Sequence, residues 1–137
     1  MRSHAVLCLS IAVLGSGCSI SSLLEKSNEE AEKTVDIICG ECGDLFPDFA
    51  ECEDLFGGQF LEDDDCTVEA LELDKDASRE TLNCIIDAQK DYNACLQDEL
   101  DCGDPNSWTP CQDIIDDAVE SCPELPNQVQ EALAACR

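Results

Sequence analysis

Ten cysteines, Cys39, Cys42, Cys52, Cys66, Cys84, Cys95, Cys102, Cys111, Cys122 and Cys136, are spread along the body of a 137-residue chain. Two more, Cys8 and Cys18, stand near its start. An even set at this density reads as a disulfide framework of up to about five bridges, the pattern of a small domain made for an oxidising compartment. A metal-holding cysteine set would more often include histidine, and the chain's one histidine, His4, lies among the first residues.

The apolar pattern between the cysteines has the period of helices. Ser22-Leu23-Leu24-Glu25 has the form of a capping box, and Leu24, Ala31, Val35 and Ile38 follow at helical spacing, which predicts a helix over 22–39. Its early part, Glu25 to Glu30, is polar, so residues 18–30 are read as a tether and packing is expected from Ala31 onward. A second short helix is expected to open at Pro47 and close at Gly57-Gly58, with Phe49, Cys52 and Phe56 facing inward. Glu62 to Asp65 reads as a solvated loop. Further helices are expected around Val68–Leu73 and from Ser78 to about Leu96, the latter with Leu82, Ile85, Ile86, Gln89, Tyr92 and Leu96 near one stripe. After the turn-rich stretch Asp101–Ser107, Thr109, Pro110 and Gln112 signal another helix, with Thr109 as its cap, and a last helix covers 127–136 with Val129, Leu133 and Cys136. No segment reads as a strand. The fold class is all-α: a disulfide-rich domain over 31–137, built on an antiparallel helical hairpin with short flanking helices.

That hairpin rests on two equal spacers. Ten residues separate Cys84 from Cys95, and ten separate Cys111 from Cys122. Eleven steps of about 100° bring a helix back to within roughly 20° of its starting direction, so both sulfurs of each pair leave one face about three turns apart. The arrangement over 84–122 is similar to the twin CX9C helical hairpins, with one residue more in each spacer, and the likeness implies a shared staple geometry. If the two helices run antiparallel, Cys84 meets Cys122 and Cys95 meets Cys111 at once. A parallel arrangement would pair Cys84 with Cys111 and make the connection climb back about 16 Å. Short connections usually join antiparallel neighbours, which favours the first pairing. The partners of Cys39, Cys42, Cys52, Cys66, Cys102 and Cys136 are left open by the sequence.

The compartment is read from the first residues. Met1 to His4 is a short basic start, and Ala5 to Leu14 is an apolar run. A membrane-spanning helix needs roughly 20 such residues, so residues 1–17 read as a signal peptide. Ser16-Gly17-Cys18 resembles the end of a bacterial lipobox, in which the cysteine is acylated and becomes the first residue of the mature chain. Gly15 stands where that motif carries leucine, and Leu14 lies one place earlier. The resemblance implies a lipid anchor on Cys18 and a place at the bacterial outer membrane or facing the periplasm. Ordinary signal-peptidase cleavage after Gly17 or Cys18 would instead give an extracellular protein.

Charge excludes one class of ligand. The chain carries 32 Asp and Glu against 7 Lys and Arg, a formal net charge of −25, and past the leader only Lys26, Lys33, Lys75, Arg79, Lys90 and Arg137 are basic. No basic face exists to meet phosphates, which rules out nucleic acid. The expected partners are the membrane, through the anchor, and a cationic protein or ion, with a plain solvated acidic surface as the simpler reading. Cys39-x-x-Cys42 offers one knuckle of a zinc site without a second, and it lacks the strand–helix setting of a redox pair. Asp74-x-Asp76-x-Ser78 begins like an EF-hand loop, but Arg79 and Ile85 occupy the positions of the required Gly and Glu. With His4 in the leader, the mature chain has no imidazole for a Ser-His-Asp or Cys-His scheme. The chain is therefore expected to be a non-catalytic binding or structural component of the cell envelope, with no cofactor. The alternative is a secreted, unanchored acidic protein that binds metal ions or a cationic partner.

Overall fold

The structure, a computed structural model, describes residues 19–56, 64–104 and 106–136. The signal segment, Cys18, Gly57-Gly58 and Glu62-Asp63 lie outside the described residues. The described residues form six α-helices in order: α1 (Ile20–Cys42), α2 (Phe49–Phe56), α3 (Asp65–Glu72), α4 (Lys75–Glu99), α5 (Thr109–Glu120) and α6 (Asn127–Ala135), with a 3-10 turn at Gly43–Leu45. Among the described residues there is no strand, and no helix is long and apolar enough to cross a membrane. The protein is an all-α, disulfide-rich domain.

The helix starts are set by side chains that satisfy free backbone N–H groups. Ser19, not Ser22, caps α1: the Ser22 backbone N–H donates to Ser19 Oγ at 3.2 Å. Asp64 and Asp74 do the same for α3 and α4, accepting from the N–H groups of Thr67 at 2.7 Å and Ala77 at 3.2 Å. Part of the acidic run expected to be loop is therefore a cap, Asp64, and a first helical residue, Asp65. At α2 the cap is Asp48, which accepts from the Glu51 N–H at 2.9 Å, so the helix opens at Phe49 instead of Pro47. That start leaves Phe49 exposed, and Phe46 packs in its place against Val35 and the Cys39–Cys52 pair. Trp108, not Thr109, occupies the N-cap of α5, with no side-chain hydrogen bond there, and Thr109 is the first helical residue.

Residues 20–30 are no tether. Ile20, Leu23 and Leu24 are buried with Leu71 of α3, Leu82 and Ile86 of α4 and Val129 of α6 in the largest apolar cluster. A second cluster gathers Ile38, Leu96 and Cys111, flanked by Tyr92, Leu100 and Trp108. Between them runs a polar layer, which is why the middle of α1 looked unsuited to a core. Ser27 Oγ donates to Gln89 Oε1 at 3.1 Å, and Thr34 Oγ1 donates to Asn93 Oδ1 at 2.6 Å. The Asn93 amide donates to the Glu30 carbonyl at 2.8 Å and to Glu30 Oε2 at 3.2 Å, while Lys33 Nζ reaches Glu30 Oε1 at 2.6 Å. Every buried side-chain polar atom among the described residues has a hydrogen-bond partner, as a stable interior layer requires.

These contacts fix direction as well as register. Ser27 meets Gln89, Glu30 meets Asn93, and Cys42 is bonded to Cys102, so α1 and α4 run parallel. Cys84 is bonded to Cys122 and Cys95 to Cys111, so α5 runs antiparallel to α4. The other bridges join α1 to α2 through Cys39–Cys52 and the start of α3 to the end of α6 through Cys66–Cys136. Cα–Cα distances of 5.3–5.8 Å across the five bridges are ordinary for disulfides. A chain stapled this way folds in an oxidising environment.

Candidate binding groove

The helix α4 carries α1 along one flank and α5 along another, and α1 and α5 meet where Ile38 and Cys111 share the second apolar cluster. The contact is narrow because Cys111 is the one buried residue of α5. Ile114 and Val119 each remain 43% exposed, so α5 offers too little apolar surface to close fully onto α1. A groove of about 470 Å³ is left between them.

Its floor is aliphatic: Val35 and Ile38 of α1 are buried, and Ile115 of α5 is half-buried. Tyr92 of α4 and Trp108 before α5, the chain's one tyrosine and one tryptophan, both line it. Leu55 of α2 stands at its edge, 67% exposed. Polar lining comes from Thr34, Gln89, Gln112 and Asp116. Gln112 Nε2 donates to Asp116 Oδ1 at 3.0 Å, a contact between residues four apart on one helix. Burial raises the ionisation of Tyr92 above the usual tyrosine value, and the negative charge of Asp116 raises it further. The phenol is therefore neutral across the physiological range, a hydrogen-bonding and stacking group and not a base. Among the described residues, no lysine or arginine lines the groove.

A second cavity, of about 390 Å³, lies beside the Cys84–Cys122 bridge and is lined by Thr81, Ile85, Val119, Pro123 and Leu125. Its one buried hydroxyl, Thr81 Oγ1, is already engaged with the carbonyls of Pro123 at 2.9 Å and Ala77 at 3.0 Å.

The residues singled out from the sequence fall as follows. Cys84 with Cys122 and Cys95 with Cys111 form the α4–α5 staples, and the six cysteines whose partners were open resolve into Cys39–Cys52, Cys42–Cys102 and Cys66–Cys136. Cys39 and Cys42 thus belong to separate bridges and share neither a metal nor a dithiol. Asp74 caps α4, and Ser78 is buried with its hydroxyl on the Leu71 carbonyl at 2.7 Å, so the run from Asp74 is helix start and not a cation loop. Among the described residues no cluster of His, Cys, Asp or Glu has the form of a metal site. Cys18 lies outside the described residues.

The chain matches no known protein family, no curated protein and no solved structure. The groove was not singled out from the sequence. Its signal was present in the two large aromatic residues, which flank the Cys95–Cys111 pair as Tyr92 and Trp108.

Proposed function

We propose that this protein is an exported, non-catalytic binding module of the cell envelope, held at a membrane by acyl chains on Cys18 and presenting the groove between α1 and α5. The observation that carries the binding role is a preformed concave site with aromatic, aliphatic and acidic lining, set on helices that disulfides hold in place. Sites on rigid elements keep their shape without a ligand, which lowers the cost of binding. Absence of a histidine from the body of the chain, together with a tyrosine whose proton is held more firmly than usual, favours recognition over acid–base catalysis.

The anchor rests on Ser16-Gly17-Cys18. Buried methylenes contribute about 0.8 kcal/mol each, so two or more acyl chains would hold the protein firmly where one short chain would not. Gly15 in the place of the lipobox leucine favours the second reading, a secreted protein with the same acidic body. Cell fractionation of the native chain and of Cys18→Ser decides between them. Membrane partitioning that is lost in Cys18→Ser, with acyl mass on the native N-terminal peptide, is the expected result; equal partitioning of the two forms would overturn the anchor.

A further inference from the structure

The groove has a chemical preference. We propose that it docks a lysine- or arginine-bearing segment of a partner protein, with the aliphatic stem over Val35, Ile38 and Ile115 and the cationic head among Tyr92, Trp108 and Asp116. This rests on the reading of the chain as a binding module and adds what it binds.

Charge complementarity selects the occupant. Asp116 is exposed, and among the described residues its hydrogen bond is to the neutral Gln112 amide, with no lysine or arginine paired to it. A cation entering the groove therefore meets a carboxylate and two aromatic rings, and no lining residue repels it. Long basic side chains suit such a lining because their methylene stems cover apolar surface while the head stays near water. A second copy of this chain is the wrong occupant, since each copy carries a net charge of −25 and their approach is repulsive. An acidic or purely apolar segment would leave Asp116 without a counter-charge. Attraction by the whole acidic body would speed the encounter, and the groove would decide where the segment settles.

The chain's single tryptophan makes the test direct, because Trp108 emission reports the groove alone. The probe is a ten-residue peptide of alternating arginine and leucine, titrated into the full exported protein, with a glutamate–leucine peptide of equal length as control. Binding of the arginine peptide with a change in Trp108 emission is expected. Asp116→Asn should weaken it roughly tenfold, as loss of a charged hydrogen-bonding partner does. Asp113→Asn, which removes an exposed α5 carboxylate that does not line the groove, should change it less than about twofold. Equal losses in the two variants would reduce the binding to general acidic attraction and overturn the proposal. So would an unchanged Trp108 signal, equal binding of the glutamate peptide, or concentration-dependent dimerisation that the arginine peptide does not displace. Fractionation of Cys18→Ser tests the anchor separately, and failure of either result leaves the other standing.

Discussion

Two helices lie along α4, and they are held to it by different means. Against α1, α4 presents interlocking layers: an apolar cluster at Leu24, Leu82 and Ile86, a hydrogen-bonded layer at Ser27, Glu30, Gln89 and Asn93, and a second apolar cluster at Ile38 and Leu96. Against α5, it presents two disulfides, and the one residue α5 buries is itself a cysteine. Side chains specify the first interface, with the Cys42–Cys102 bridge closing only its far end; two covalent bonds hold the second along its length. A helix fixed covalently need not bury its apolar residues, so α5 can leave its Ile115, and Trp108 at its N-cap, partly open to form the groove.

The largest break of this comparison is chemical. Reducing all five bridges should abolish cooperative folding, because a small domain with this much like charge has little stability to spare. The two α4–α5 staples close loops with separations of 38 and 16 residues. Each is worth about 3 to 4 kcal/mol in the chain-entropy model. The loss of helical circular dichroism should be most complete at low salt, where repulsion is least screened. A reduced protein that melts as cooperatively as the oxidised one would contradict it.

Point substitutions sharpen the contrast. Leu24→Ala opens a cavity in the α1–α4 core and should cost about 3 kcal/mol in denaturant unfolding. Asn93→Ala removes the amide that the buried Glu30 carboxylate and carbonyl accept from, and should cost about 2 to 3 kcal/mol. On α5, Ile114→Ala should stay within about 1 kcal/mol, since that residue is 43% exposed. Equal costs on the two helices would erase the distinction.

The smallest effect is electrostatic. Tyr92 has its ionisation raised by burial and then by Asp116, so above the ordinary value of 10.0 the unfolded chain gives up its proton first. Stability supplied by the neutral phenol is present below that pH and is lost as pH rises through the folded value. Ultraviolet titration of this single tyrosine should show Asp116→Asn moving the ionisation part of the way down, with burial keeping the rest. An unshifted titration in Asp116→Asn would remove Asp116 from the electrostatics of the groove.

The contrast between the two interfaces also explains what the sequence disclosed. The α4–α5 staple was legible because equal cysteine spacers let both pairs meet at once and the short connection favours antiparallel helices. The α1–α4 layer was not. Ser27 and Glu30 look like surface residues until Gln89 and Asn93, 62 and 63 positions away, are brought opposite them, and no local period contains that pairing. Helix starts failed in a similar way: the Ser22–Glu25 capping box is a local pattern, whereas the structure caps α1 at Ser19 and buries Ile20 in the apolar cluster. At α2, Asp48 outcompeted Pro47 by accepting the Glu51 N–H, which turned Phe49 outward. The groove escaped sequence reasoning because it is defined by what α5 does not bury.

Residue-resolved amide hydrogen exchange on a variant with Cys84, Cys95, Cys111 and Cys122 all changed to Ala tests the central claim most directly. With the staples gone, the amides of Thr109–Glu120 should lose their protection while those of α1 and α4 around Glu30 and Asn93 keep theirs. Protection that persists in α5, or that vanishes from α1, α4 and α5 together, would contradict the division between a covalently held helix and a side-chain-held core.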